Sequence, residues 1–226
     1  MHPSKAHRYL VSLIRAGFAQ RDGRGLYVAS LASQIGRPRS SQARAIEVAE
    51  QGLAQLARRI GETVFISTWG PTGPVILRVD LPERLVSVRV RANSDLTVSD
   101  TAVGRAFAAF MESEHVAPLI DAELARLKLS QAELVKRRKT FARRLEEVRV
   151  RGISRSVSEL YQGMTAFSVP VFDDNASPVL AVTAFGIESM IESGWDSPVA
   201  KALADYAAEI THKIGGFEPG GRSAQN

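Results

Sequence analysis

The 226-residue chain has no cysteine. Disulfides, thiolate metal sites and cysteine nucleophiles are therefore excluded, and the composition fits a reducing compartment. No apolar run approaches the roughly 18–20 residues that cross a bilayer. The first twenty residues place Lys5, His7, Arg8 and Arg15 among the apolar side chains. They lack the continuous apolar centre of a signal peptide. A soluble, cytoplasmic protein with no membrane partner is expected. Histidine is scarce: His2, His7, His115 and His212 are scattered, without metal-ligand spacing, and no metal site is expected. There is no G-x-S-x-G elbow, no P-loop and no G-x-G-x-x-G. The acidic pairs Glu146-Glu147 and Asp173-Asp174 read as solvated. Neither an enzyme nor a cofactor is expected.

What is present is an uneven charge. The net charge is +5, from 29 Lys and Arg against 24 Asp and Glu. Residues 1–60 hold ten cations and three acids, and residues 61–226 hold nineteen and twenty-one. A basic segment ahead of a near-neutral body suggests a polyanion partner for the segment and another role for the body. The run Lys136-Arg137-Arg138-Lys139, with Arg143 and Arg144, wraps the whole circumference of its helix. It reads as a solvated surface with Glu133, Glu146 and Glu147 as partners.

The pattern predicts a helix over 4–16, with Tyr9, Leu10, Leu13 and Ile14 on one apolar stripe, Ser4 as cap and Gly17 as stop. Residues 18–28 read as strand, tight turn at 22–25, and strand. Residues 30–41 are a polar connector. A second helix over 42–60 carries Ile46, Ala49, Leu53, Leu56 and Ile60 at helical spacing, and Gly61 stops it. The period then changes to two. Strands are expected at 64–69, 75–79, 85–90, 164–172 and 179–186, the fourth containing Pro170 at an edge or strand end. Helices are expected at 101–111 with Ser99 or Asp100 as cap, at 118–127, at 131–150 behind the capping box Ser130-Gln131-Ala132-Glu133 and stopped by Gly152, and at 198–214. The residues after Gly215 need not be ordered. This is α+β: a largely antiparallel sheet with helices packed on it.

The strongest constellation is the first helix with its hairpin. That pairing matches the second half of a winged helix-turn-helix, whose recognition helix enters the major groove. Ser4, Lys5, His7 and Arg8 would face bases and phosphates, and Arg21 and Arg24 at the wing tip would reach the backbone.

The sequence also resembles a family. Residues 3–18, P-S-K-A-H-R-Y-L-V-S-L-I-R-A-G-F, are similar to the recognition helix of IclR-type transcription regulators. Gly25-Leu26-Tyr27-Val28 resembles the end of their wing. Residues 100–106, D-T-A-V-G-R-A, resemble the family's T-A-x-G-K-A. Glu146, Arg149, Arg151 and Gly152 have the spacing of its E-x-x-R-x-R-G, and Pro170-Val171-Phe172-Asp173 match its P-V-F-D. The motifs occur in order over nearly the whole chain.

The resemblance implies residues 1–40 as a partial winged helix-turn-helix, 41–61 as a linker helix, 62–216 as a GAF-like effector-binding domain and 217–226 as a flexible tail. It implies double-stranded operator DNA, a small organic-acid effector, and a homodimer or tetramer. In the family two further helices precede the recognition helix, so a start placed too late at Met1 is expected. The resemblance places the effector against Ala102, Val103, Ser156, Met164, Ala166, Thr183 and Phe185. Ser156 stands where glyoxylate- and pyruvate-responsive relatives carry an acid, and Phe185 where they carry a small hydroxyl. A larger or aromatic carboxylate is the expected effector, held by the amides near Ala102 and Val103. The alternative is a GAF-like sensor that does not bind DNA because its helix-turn-helix is incomplete.

Overall fold

A computed structural model describes residues 40–83 and 90–219, together with residues 11, 12, 14, 19–21 and 27–29. The chain divides into two compact units, residues 1–40 and 41–226. In the first, β1 (Ala19–Arg21) and β2 (Tyr27–Ala29) pair antiparallel, with Gln20 opposite Val28 and Arg21 opposite Tyr27. The turn between them lies outside the described residues. So does most of the helix expected at 4–16, of which Val11, Ser12 and Ile14 are helical.

The second unit begins with α1 (Ser41–Ile60), followed by β3 (Thr63–Gly70) and β4 (Gly73–Asp80). Three helices come next: α2 (Ala102–Ala108), α3 (Ser113–Arg126) and α4 (Gln131–Arg151). Then come β5 (Ser154–Val157), β6 (Met164–Phe172), β7 (Pro178–Ile187) and α5 (Pro198–Lys213). The strands form one sheet in the order β4-β3-β7-β6-β5, with every neighbouring pair antiparallel. The strand expected at 85–90 lies, except for Val90, outside the described residues.

The period-two pattern sorts residues between two buried faces. Val64, Ile66, Phe167, Val169, Leu180 and Val182 face a core completed by Leu53 and Leu56 of α1 and Leu203 and Ile210 of α5. On the other face, Val103 and Phe107 of α2 pack on Ala181. Beyond α2, Val116, Ile120 and Leu124 of α3 share a smaller core with Leu145 and Val148 of α4.

The α1–α5 contact is close because Gly52 has no side chain. A Cβ there would lie 2.8 Å from the Tyr206 ring and hydroxyl. The Tyr206 hydroxyl donates to the Ala49 carbonyl. Burial pushes its pKa up to about 12. The folded state therefore holds the proton that the unfolded chain releases near pH 10, so this contribution is complete below pH 10 and is lost toward pH 12. Tyr206→Phe is expected to cost about 1 kcal/mol at pH 7. It should also flatten the fall in stability above pH 10, as chemical denaturation across that range would read.

Three local expectations change. The helix expected from Pro118 starts five residues earlier, at Ser113, with Pro118 inside it. The proline removes one backbone hydrogen bond, but Val116, Ile120 and Leu124 are all buried on one stripe, and that packing sustains the helix. The cap of α2 is Thr101, not Ser99 or Asp100. Its hydroxyl accepts from the Gly104 amide at 2.9 Å, while the Ser99 hydroxyl is turned to Glu123. Pro170 lies in a strand flanked on both sides, yet β5 pairs only as far as Ser168. At Pro170 β7 is the one paired neighbour, which is where a strand tolerates a missing donor. The helix α4 has the expected capping box, and Gly152 closes it in the left-handed conformation at φ 70°. Past α5, the Phe217 amide donates to the Asp173 carbonyl at 3.3 Å.

Candidate functional site

The sheet register assembles the site. Thr183 of β7 lies opposite Phe65 on β3 and Ser168 on β6. Phe185 lies opposite Ala166, and Ala166 opposite Ser156. Met164 is two residues from Ala166 and shares its face. These side chains point away from the α1–α5 core toward the start of α2. Ala102 and Val103 of α2, with Ile76, Leu96, Leu160 and Tyr161, enclose the space between. The result is a largely apolar cavity of about 70 Å³, partly open to solvent. All seven residues expected at the effector site, Ala102, Val103, Ser156, Met164, Ala166, Thr183 and Phe185, line it.

The sequence reading missed other lining residues: Phe65, Asp100, Thr101, Glu159 and Tyr161. Phe65 was legible, since the alternation of β3 puts it on the face of Ser67 and away from Val64 and Ile66. Glu159 and Tyr161 lie in the loop after β5 and carry no sequence signal. In that loop Ser158 has φ 51° and Gly163 φ 74°. The Gly163 amide donates to the Ser158 hydroxyl at 2.8 Å, and that hydroxyl also bonds the Glu188 carboxylate.

The polar groups around the cavity are mostly committed elsewhere. The Thr183 hydroxyl donates to Ser168 at 2.9 Å, and the Thr101 hydroxyl donates to the Thr97 carbonyl at 2.6 Å. Glu159 accepts from Arg105 of α2 at 2.8 Å and from Arg144 of α4. Arg105 is only 1% exposed. It also donates to the carbonyls of Ser99 and Arg155, each at 2.9 Å. Burial lowers its pKa from the usual arginine value, and the Glu159 carboxylate opposes that shift. One buried guanidinium therefore ties the start of α2, strand β5 and the loop after it into a single wall. No cation lines the cavity among the described residues. At the first turn of α2, the Gly104 amide goes to the Thr101 hydroxyl and the Arg105 amide to the Thr101 carbonyl. The Ala102 and Val103 amides have no place in the helical ladder.

The residues expected at DNA are not brought together by the described structure. Arg21 ends β1, and Ser4, Lys5, His7, Arg8 and Arg24 lie outside the described residues. One group passed over in the sequence is Glu112, Glu114 and His115, whose ligating atoms lie within 4.8 Å of one another. All three are exposed at the start of α3. No described helix is long and apolar enough to cross a membrane.

A five-stranded antiparallel sheet, covered on both faces by helices and holding an apolar cavity beneath α2, is the architecture of a small-molecule-sensing module. The comparisons say which. The family model for the bacterial transcriptional regulator IclR C-terminal domain matches residues 40–212. The crystal structure of Pseudomonas aeruginosa HmgR is 30% identical, with a TM-score of 0.70 over 97% of this chain and 87% of that one. The Thermotoga maritima IclR, 24% identical, has a TM-score of 0.64 over 95% of this chain and 87% of that one. An IclR-family regulator from Brucella abortus, 19% identical, has a TM-score of 0.63 over 95% and 81%. Comparison with curated proteins finds no match. The chain belongs to the IclR family of bacterial transcriptional regulators.

Proposed function

We propose that the protein is a ligand-responsive transcription regulator that binds operator DNA as a dimer or tetramer and senses a small aromatic organic acid in the cavity beneath α2. The observation carrying this reading is the cavity itself. Sheet register and α2 bring seven residues together around one space, and its walls are largely apolar. Phe65, Met164 and Phe185 suit a ring. The Ala102 and Val103 amides suit its carboxylate. Residues 1–40 supply the DNA-binding part, with Ser4, Lys5, His7 and Arg8 on the recognition helix and Arg21 and Arg24 on the wing. The helix α1 relays the cavity's state toward that part, as a ligand that prefers one of two arrangements would require.

Isothermal titration against glyoxylate, pyruvate and a panel of aromatic carboxylates tests the ligand class. An aromatic acid should bind, and the two- and three-carbon oxoacids should bind far more weakly. Tight glyoxylate binding alone would refute the assignment. Ala166→Phe should fill the cavity and reduce the affinity of the best aromatic acid by at least about a hundredfold, since a clash at one buried contact costs about 3 kcal/mol. In gel shifts, the same acid should change operator affinity of the parent chain and leave that of Ala166→Phe unchanged.

A further inference from the structure

The body of the protein looks near-neutral in sequence, but the structure concentrates its positive charge. The helix α4 carries eight cations and three carboxylates over 21 residues, and only Leu145 and Val148 are buried. The tertiary structure divides those cations into two groups. Arg137 pairs with Asp100 at 3.5 Å, Arg138 with Asp121 at 2.7 Å, and Arg144 with Glu159. Arg149 pairs with Glu146 and Arg151 with Glu147 on the helix itself. The third carboxylate, Glu133, is turned back to the Ser130 amide and hydroxyl in the capping box. Lys136, Lys139 and Arg143 are exposed and make no ion pair among the described residues.

These three are not scattered. They stand at i, i+3 and i+7, which on an α-helix is one stripe. Leu134, Phe141, Leu145 and Val148 pack toward the small core on the opposite side. The consecutive run 136–139 does wrap the helix, as expected. Every member facing sideways or inward has found a carboxylate, and the members facing outward have not. The stripe is about 10 Å long at 1.5 Å per residue. At its C-terminal end, Arg143 borders a polar hollow with Arg155. The Arg155 guanidinium lies over the Trp195 ring at 4.1 Å and donates to the Ser193 carbonyl, and it makes no ion pair among the described residues, though Glu147 and Glu159 also line the hollow.

We infer that the Lys136–Lys139–Arg143 face of α4 is a second nucleic-acid contact, which takes the phosphate backbone of duplex DNA independently of base sequence. Duplex DNA is the occupant that charge complementarity favours, since three exposed cations stand in one row and are unpaired among the described residues. Unpaired, exposed cations are what counterion-releasing contacts need. The inference rests on the reading of the chain as a DNA-binding regulator only for the identity of the DNA, not for the surface.

The test is the salt dependence of duplex binding by the full chain. Fluorescence anisotropy would be followed from 50 to 200 mM salt, on an operator fragment and on an unrelated duplex. The variant is the triple Lys136→Gln, Lys139→Gln, Arg143→Gln. The control is Arg138→Gln, Arg149→Gln, Arg151→Gln, which removes the same charge from paired positions. The stripe variant should lose about 2–3 from the slope of log affinity against log salt, and about tenfold or more in affinity at 50 mM. The control should lose clearly less. Operator binding with an unchanged slope in the stripe variant would overturn the inference and leave the regulator reading standing. Unspecific duplex binding that the stripe variant loses, with no operator preference, would support the inference and count against the regulator reading. No duplex binding at all would overturn both. Melting temperature and aromatic-acid titration should not change in the stripe variant, which separates loss of contact from loss of fold.

Discussion

Arg105→Met is expected to destabilise the protein by about 3 kcal/mol, the lower end of what breaking a buried ion pair costs. For a unit of this size that is a fall of about 6–12 °C in melting temperature. Arg105 has four jobs, and methionine performs only the last, the filling of space. Arg105 donates to the Ser99 carbonyl, the Arg155 carbonyl and the Glu159 carboxylate, and it fills a site that is 1% exposed. Losing it leaves two carbonyls short of a donor and removes one of two cations from Glu159. The effect stays at the lower end because Glu159 is 21% exposed and keeps Arg144. Glu159→Gln should cost less, since the amide oxygen still accepts from both arginines. Thermal melts of the two variants would give the ordering. A loss under about 2 °C for Arg105→Met would mean that the wall beneath α2 is held by something else. The same variant should weaken effector binding, because Ser99 leads into the first turn of α2 and Glu159 starts the loop over the cavity.

Gly104→Ala is the second large effect, and its sign is diagnostic. On helix propensity alone, alanine would stabilise by about 1 kcal/mol. At this position a Cβ would lie 2.4 Å from the Val98 carbonyl oxygen, 2.5 Å from the Val98 Cα and 2.6 Å from the Thr97 carbonyl oxygen. All three are backbone atoms, so no rotamer change relieves the overlap. The 97–99 segment is also pinned from behind. Glu123 accepts from the Val98 amide at 2.6 Å, the Ser99 amide at 3.0 Å and the Ser99 hydroxyl at 2.7 Å. Either α2 lifts off or the Glu123 contacts break. A loss of about 3 kcal/mol is expected, at the upper end of overpacking, with Gly104→Val worse. Urea denaturation of Gly104→Ala measures it. A variant as stable as the parent would show that the helix does not approach this segment so closely. Because Ala102 and Val103 ride on the same helix, a displaced α2 should also abolish aromatic-acid binding.

The sequence reading succeeded where the physics is local and failed where it is not. The capping box at Ser130 and Glu133 and the stop at Gly152 are contacts within a few residues, and both stand as read. The alternation along β6 and β7 is a property of each strand, and both strands appear within two residues of where the pattern put them. The start of α3 was misjudged because Pro118 is a strong local signal. What overrides it is the burial of Val116, Ile120 and Leu124, a tertiary fact. Arg105 was visible only as a family letter. Nothing in its neighbours says that a guanidinium there is buried, since its carboxylate is 54 positions away. The basic run on α4 shows the same limit. Its circumferential spread was legible, but which cations keep their charge free depends on Asp100, Asp121 and Glu159, all from other segments.

The sequence by itself therefore determined the type of each long element, the capping box and stop of α4, the two faces of the strands and, through motifs kept in order, the family. Those follow from period, local hydrogen bonding and residue identity, which the chain carries before it folds. Only the tertiary structure decided that Glu159 and Tyr161 join the cavity wall, that Glu159 serves two arginines, and that Lys136, Lys139 and Arg143 are left unpaired among the described residues. Each of these depends on strand register or on a contact between distant segments. Register is set by the packing of the whole sheet, and no window of sequence contains it.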